Sequence, residues 1–250
     1  MQGFNRHNIT YTSPSSLNMW CDAPDAWIAK YLLGRKFSFS PAARAGVLAE
    51  EAVVNVLGRG WTQEAAVKDA LDQFNKANVF DKSDKTLARG EAIPGMIDLA
   101  IKELAQYGEP EFDESGKQQK ININCRVDDW TIPVIGYLDL VYPKHGIIVD
   151  LKTTSRMPSS MSPGHLRQQA IYQAAKGNQR VLFLYVTGKK SAVFENPDIG
   201  DTLQEIKAIL RRQNAFLNMG SADELVRCVP VVDSWYWSDD LPMRRELYGY

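Results

Sequence analysis

The sequence has few cysteines and almost no net charge, and both features exclude classes of protein. Cys21, Cys125 and Cys228 are the only three cysteines in 250 residues, and they form no CxxC pair. Such spacing argues against a zinc site or a disulfide framework and fits a reducing cytoplasm. With 29 Lys and Arg against 30 Asp and Glu, the net charge is −1. Any phosphate-binding surface must therefore be local.

Long apolar runs and repeats are also missing. The opening segment MQGFNRHNITYTSP lacks the apolar core of a signal peptide, and no uninterrupted apolar run reaches the ~18 residues of a membrane span. The content of 44% hydrophobic and 24% charged residues is that of an ordinary globular protein. We expect one soluble domain over 1–250, located in the cytoplasm and without a membrane partner.

Two apolar runs stand out between Val134 and Lys152, and each carries one carboxylate. VIGYLDLVY and GIIVDLK flank a Pro-Lys-His-Gly break, a pattern that predicts a β-hairpin. Asp139 lies inside the first run and Asp150 near the end of the second. An unpaired buried carboxylate costs several kcal/mol, and two neighbouring ones repel each other. A divalent cation between them would remove both penalties.

Lys152 adds a cation to this pattern. Because side chains alternate along a strand, Asp150 and Lys152 point to one face and Leu151 to the other. Hard oxygen ligands on adjacent strands suit Mg²⁺, which keeps several waters for a phosphate substrate. An Asp-apolar-Lys triplet at the end of a strand is also common as an ordinary ion pair. The neighbouring motifs decide between these interpretations.

Helices are predicted on both sides of the hairpin. An amphipathic helix from Pro41 carries Glu50 and Glu51 in its middle. Consecutive helical residues diverge by about 100 degrees, so at most one of these glutamates faces the hairpin, and the sequence leaves open which. The other predicted helices are 13–34 with a kink at Pro24, 62–78, 82–107 with a bend or break at Pro94, 165–177 and 202–219; the strands are roughly 118–127, 130–142, 146–153, 180–188 and 191–195.

Gln168 and Tyr172 lie four residues apart in the predicted helix 165–177 and therefore on one helical face. Considered alone, they are a surface glutamine beside a half-buried tyrosine. His145 and His165, at a turn and at the start of a helix, are interpreted as structural or solvated.

Taken jointly, these residues resemble the PD-(D/E)XK nuclease superfamily, in particular its RecB-like and lambda-exonuclease-like branch. Five short patterns occur in the order of the family and on the expected elements, along most of the chain. They are SxSxLxxW/YxxxPxxWxxxYL (Ser13, Ser15, Leu17, Trp20, Pro24, Trp27, Tyr31, Leu32), GxxxH/E (Gly46, Glu50), GxxD (Gly136, Asp139), D/E-x-K (Asp150, Lys152) and QxxxY (Gln168, Tyr172). RecB-like relatives often have His at the position of Glu50, whereas the lambda-exonuclease branch commonly has Glu.

The resemblance implies an α+β (α/β), restriction-endonuclease-like exonuclease fold with a central mixed β-sheet of about five strands flanked by helices. Its implied parts are an N-terminal helical wall over 1–107, a catalytic sheet with the QxxxY helix over 118–198, and a C-terminal helix and tail over 199–250. Iron–sulfur members place one Cys near the N-terminal helix and three near the C-terminus. Cys21 and Cys228 do not make that pattern, so we predict no cluster.

The implied activity is hydrolysis of DNA phosphodiester bonds with one or two Mg²⁺ or Mn²⁺ ions, by an exonuclease of recombination, repair or phage DNA metabolism. The implied metal ligands are Asp139, Asp150, the backbone carbonyl of Leu151, and Glu50. Among the remaining implied site residues, Lys152 positions or deprotonates the attacking water, Gln168 orients water or phosphate, and Tyr172 and Arg167 contact the strand.

The implied partner is DNA with a free end, in a bacterial or phage-infected cell. A recombination or single-strand-annealing protein and a second copy of the chain are further expected partners. Two alternatives stay open. One is an inactive nuclease-fold scaffold that binds DNA, and the other is a metal-dependent phosphoesterase that acts on small nucleotides.

Overall fold

The structure is a computed structural model and describes residues 2–112, 119–123, 132–177 and 179–249. Within those ranges the helices are α1 (Gln2–Arg6), α2 (Pro14–Asp22), α3 (Pro24–Trp27) with a π-helical turn over Ile28–Leu32, α4 (Pro41–Arg59), α5 (Gln63–Ala77), α6 (Asp84–Leu104), α7 (Pro163–Lys176), α8 (Gly200–Asn218), α9 (Ala222–Cys228) and α10 (Leu241–Tyr248). The strands are β1 (Gln119–Ile123), β2 (Val134–Leu138), β3 (Leu140–Tyr142), β4 (Ile147–Thr153), β5 (Arg180–Val186) and β6 (Ser191–Phe194).

The central sheet is mixed and has the strand order β3-β4-β5-β6 among the described residues. β3 is antiparallel to β4, β4 is parallel to β5, and β5 is antiparallel to β6. Parallel neighbouring strands need a crossover connection, and α7 lies in the connection between β4 and β5. The predicted α+β fold with a mixed sheet flanked by helices is confirmed.

The strand predicted over 130–142 is divided in two at Asp139. β2 pairs with β1 in a separate two-stranded antiparallel sheet, whereas β3 pairs with β4. The predicted break between β3 and β4 is a 3-10 turn over Pro143–His145, closed by Gly146 with φ of 63°, which glycine adopts without strain. Residues 118, 124–127 and 130–131 of the first two predicted strands lie outside the described residues. Asp139 is therefore the point at which the chain leaves one sheet and enters the other.

The two faces of the central sheet pack against different helices. Val141 and Ile148 belong to a core that includes residues of α2, α3, α7 and α8. Leu140 and Val149 belong to a second core with α4, α5 and α6. Since side chains alternate along a strand, Asp150 points to the same face as Ile148, toward α7.

Pro94 does not break the helix, because α6 runs without interruption from Asp84 to Leu104. Ile93, Met96 and Ile97 flank the proline and are at most 2% exposed. Core packing of this kind routinely overrides local helix propensity. In the described part of the chain, no helix combines the length and apolar character needed to cross a membrane.

The C-terminal segment folds back onto α3. Trp237 Nε1 donates a hydrogen bond of 2.9 Å to Asp25 Oδ2, and Tyr248 Oη donates one of 2.7 Å to the carbonyl oxygen of Asp25. Arg244 Nε lies 3.9 Å from the same carboxylate. Asp25 and Trp237 are fully buried, so this part of the predicted tail has a defined position against the N-terminal helices.

Candidate active site

The hairpin of β3 and β4 brings Asp139 and Asp150 to the same side of the sheet. Leu140 pairs with Val149 in the antiparallel register, which places Asp139 opposite Asp150 at the next position. Asp139 Oδ2 accepts a hydrogen bond of 3.0 Å from the backbone N–H of Leu151. The aspartates are 8% and 1% exposed, so the two buried carboxylates lie face to face, as the hairpin predicts.

Burial and mutual repulsion disfavour the charged form of both aspartates. Burial raises the pKa of Asp139 well above its usual value, and the nearby charges of Asp150 and Glu50 raise it further. Burial also raises the pKa of Asp150, although Lys152 opposes this shift. A carboxyl pKa raised in this way marks a place where a cation is favoured.

Lys152 supplies one positive charge to this group. Its Nζ lies 2.5 Å from Asp150 Oδ2, and it lies over the ring of Phe183 at 5.5 Å from the ring centroid. Burial alone lowers the pKa of Lys152, but the charges of Asp150 and Asp139 outweigh burial and leave that pKa above its usual value. The ammonium therefore stays charged beside the two carboxylates.

Gln168 and Tyr172 tie α7 to the aspartates. Gln168 Nε2 donates hydrogen bonds to Asp150 Oδ1 at 2.7 Å and to Tyr172 Oη at 2.9 Å. Tyr172 Oη in turn donates to the carbonyl oxygen of Tyr137 in β2 at 2.8 Å. Burial raises the pKa of Tyr172 well above its usual value, with further contributions from Asp150 and Asp139, so its phenol stays neutral and can donate this bond.

Glu50, and not Glu51, is brought to this group by α4. A Cβ atom at Gly46 would lie 2.8 Å from Thr153 Oγ1, so α4 approaches the end of β4 closely at this glycine. Glu50 lies one turn after Gly46 on the same helical face. It is half-buried, and its charge contributes to the raised pKa of Asp139, whereas Glu51 is exposed.

The prediction that Arg167 contacts DNA needs correction. Arg167 is 4% exposed. Its Nε donates a hydrogen bond of 2.9 Å to Asn18 Oδ1, and its Nη1 lies 2.8 Å from Glu205 Oε1 in an ion pair. The guanidinium therefore binds residues of α2 and α8 inside the protein and is not presented to a ligand.

His165 was interpreted as structural or solvated, and the structure places it beside Lys152. Its ring hydrogen-bonds Tyr185 Oη, and Tyr185 is the register partner of Lys152. Burial, aided by the charge of Lys152, lowers the pKa of His165 to about 4. The imidazole is thus neutral at physiological pH. His145 is exposed in its turn.

The donor set fits a hard divalent cation. Among the described residues, no group of three His, Cys, Asp or Glu side chains is close enough to hold a metal by itself. Two carboxylates are sufficient for Mg²⁺, which is usually held by one or two carboxylates together with waters and substrate phosphates. Asp150 Oδ2 is buried, and the Lys152 ammonium lies 2.5 Å from it. A divalent cation would add positive charge to two buried carboxylates that have one ammonium beside them.

The cysteines bear on the predicted absence of an iron–sulfur cluster. Cys21 and Cys228 are exposed free thiols, and Cys125 lies outside the described residues. The absence of a cluster stays a prediction.

Two surface cavities, each of about 640 Å³, meet at Lys152. Cavity A is lined by the start of α4, the segment that leads into α6, the end of β4 and Trp235. Cavity B is lined by residues from Tyr11 to Asn18, by β2, by α7 and by Tyr236. Lys152 therefore lies between the two cavities, which we call the two arms of the cleft.

Sequence reasoning missed the aromatic residues of this cleft. Tyr11, Tyr137 and Trp235 are 56%, 53% and 70% exposed. In the sequence no local pattern distinguishes an aromatic residue that lines a cleft from one that is buried.

Comparison with known proteins identifies the family of this chain. The family model of the PD-(D/E)XK nuclease superfamily matches residues 11–217, a range that contains all the side chains placed around Lys152. No curated protein matches the chain. One similar solved structure, titled "Crystal structure of SSO0001", has 14% sequence identity and a TM-score of 0.35, and the match covers 69% of this chain and 86% of that chain. At this TM-score the likeness supports no argument.

Proposed function

The chain belongs to the PD-(D/E)XK nuclease superfamily, and on that premise we propose that it is a metal-dependent deoxyribonuclease that hydrolyses phosphodiester bonds at DNA ends. One observation carries the proposal, namely the buried carboxylates of Asp139 and Asp150 beside the Lys152 ammonium. The biological setting that we propose is recombination, repair or phage DNA metabolism.

In the proposed mechanism, Asp139, Asp150, the carbonyl of Leu151 and Glu50 would hold one or two Mg²⁺ or Mn²⁺ ions. When bound, such an ion supplies Lewis-acid polarisation of a phosphate oxygen and a lowered pKa for the attacking water. Lys152 neutralises negative charge that develops on the phosphate, which is the role of a fixed cation in phosphoryl chemistry. Lys152 would also position or deprotonate the attacking water.

Gln168 and Tyr172 position these groups. The two hydrogen bonds from Gln168 Nε2 fix the orientation of the Asp150 carboxylate relative to α7. The bond from Tyr172 to the Tyr137 carbonyl holds β2, which ends immediately before Asp139. Residues that orient ligating carboxylates in this way typically affect activity by about 10–100-fold.

Local positive charge explains how a protein of net charge −1 can bind a polyanion. Lys85 and Arg89 line cavity A together with Lys152. In the described part of the chain, neither Lys85 nor Arg89 forms an ion pair, so both charges are available to phosphates. Lys85 and Arg89 therefore replace Arg167 as the proposed contacts to the DNA backbone. Neutralisation of backbone phosphates by such residues supplies most of the sequence-independent affinity for DNA.

The open cleft favours DNA over a small nucleotide as the substrate. A small-molecule site buries most of its ligand, whereas both cavities here have strongly exposed lining residues, including Tyr11 and Trp235. The complete set of carboxylates and lysine favours an active enzyme over an inactive scaffold.

Incubation with end-labelled linear duplex, linear single-stranded DNA and covalently closed circular DNA tests the function. We expect the linear substrates to be degraded in Mg²⁺ or Mn²⁺ and to stay intact in EDTA, and the circle to persist. Cleavage of the circle would instead indicate an endonuclease. Intact DNA in both metals would overturn the proposal.

A matched pair of glutamates tests the helix-borne ligand. Glu50→Gln should lower kcat by on the order of 10–100-fold and raise the Mg²⁺ concentration needed for half-maximal rate, because the site loses a negative charge. Glu51→Gln, one position along the same helix and exposed, should leave both quantities unchanged. Titration of the cleavage rate with Mg²⁺ measures both, and the opposite ranking of the variants would assign the role to Glu51.

A further inference from the structure

The lining of cavity B is rich in tyrosine and poor in charge. Five tyrosines line it, and among the described residues no carboxylate does. Cavity A differs, since Glu50, Asp81 and Asp239 line it together with the cations named above. Tyr11 and Tyr137 are each more than half exposed. The two arms of the cleft are therefore built for different parts of a ligand.

A pair of stacked rings stands between the two cavities. The Trp235 and Tyr236 rings lie 3.9 Å apart between centroids with an interplanar angle of 26°. Trp235 lines cavity A and Tyr236 lines cavity B. The next residue, Trp237, is fully buried and hydrogen-bonded to Asp25, so the pair is carried on a fixed segment. Trp235 is 70% exposed, which leaves ring surface available for another planar group.

We propose that cavity B is a base-stacking subsite, which holds unpaired nucleotides next to the phosphate that is cut. This inference rests on the proposed deoxyribonuclease function and goes further, because it assigns Tyr11, Tyr137 and Tyr236 to the bases. Aromatic side chains bind single strands by stacking on base faces, which every base offers. Bases within a duplex are stacked on each other, so the nucleotides in cavity B must be unpaired.

The position of cavity B relative to the aspartates supports this assignment. Lys152, Gln168 and Tyr172 line cavity B and also contact one another or Asp150. A nucleotide in the cavity therefore has its phosphate within reach of the Lys152 ammonium. The uncharged wall suits bases, whereas the cations of cavity A suit the backbone. The two arms together fit a DNA end whose last nucleotides are separated from the complementary strand.

Steady-state kinetics of four variants tests the subsite. We expect Tyr11→Ala and Tyr137→Ala each to raise KM by about 5- to 150-fold for a duplex with a single-stranded extension, because each removes one stacking surface. Tyr137→Phe keeps the ring and should keep the wild-type KM. Tyr137→Ala retains the backbone carbonyl that accepts from Tyr172, so kcat should change much less than KM. Trp61, exposed and outside both cavities, gives the control Trp61→Ala.

A spectroscopic measurement reports stacking directly. The probe is the same duplex with the fluorescent base 2-aminopurine in its single-stranded extension. The fluorescence of 2-aminopurine falls when this base is stacked. In EDTA, wild-type protein and Trp61→Ala should quench the signal and the two alanine variants at Tyr11 and Tyr137 should quench it less. Equal KM and equal quenching in all variants would overturn the subsite while leaving the nuclease intact. A wild-type protein that cuts no DNA would overturn both.

Discussion

Asp150→Asn and Lys152→Met should each lower the rate of DNA cleavage by roughly 10³-fold while the protein stays folded. Asp150 is 1% exposed and is held by Gln168 on one side and Lys152 on the other. Asparagine keeps its shape but removes the negative charge that a divalent cation needs. Methionine keeps the length of Lys152 and removes the only positive charge that the structure places beside the aspartates among the described residues.

The controls separate lost chemistry from lost folding. Asp223→Asn changes an exposed aspartate in α9 and should cut DNA at the wild-type rate. Lys152→Arg keeps the charge but replaces a compact ammonium with a planar guanidinium, and should recover little activity. Single-turnover rates at saturating Mg²⁺, together with thermal unfolding curves, provide the measurements. Wild-type rates in Asp150→Asn or Lys152→Met would refute the proposed site.

Asp139→Asn should remove activity and make the metal-free protein more stable, by on the order of 1–3 kcal/mol in the free energy of unfolding. The Asp139 carboxylate is buried, and burial, followed by the charges of Asp150 and Glu50, raises its pKa. Asparagine has nearly the same shape, and its side-chain oxygen can accept the hydrogen bond from Leu151. The variant therefore loses a desolvated charge and keeps the hydrogen bond from Leu151.

The pH dependence of the gain in stability from Asp139→Asn follows from the raised pKa of the Asp139 carboxyl group. A carboxyl group with a raised pKa in the folded state stabilises folding below its unfolded pKa of about 3.9, and this contribution is lost as pH rises through the folded pKa. The advantage of Asp139→Asn should therefore be larger at pH 8 than at pH 5 in urea unfolding. Mg²⁺ should stabilise wild type more than the variant. A variant less stable than wild type at pH 8 in EDTA would contradict this account.

The sequence predicts the placement of Asp139, Asp150 and Lys152 because both rules involved are local. A two-residue period puts Asp150 and Lys152 on one face, and the short break fixes the hairpin register that puts Asp139 opposite Asp150. The break in the strand at Asp139 is not predicted, since apolar residues continue on both sides of it.

Contacts between distant segments decide the positions of Glu50 and Arg167. Choosing between Glu50 and Glu51 requires the rotation of α4 about its axis, which is set by the approach of Gly46 to Thr153. The position of Arg167 depends on Asn18 and Glu205, which lie 149 and 38 residues away in sequence. Neither partner carries a signal that a single sequence shows.

The Trp235–Tyr236 pair lies beyond residue 217, where the family match ends. The proposed catalytic groups and this part of the cleft wall thus lie in separate stretches of the chain, and Trp237 joins the second stretch to Asp25. Substitutions at Trp235 or Tyr236 would therefore change the wall of the cleft and leave Asp139, Asp150 and Lys152 in place.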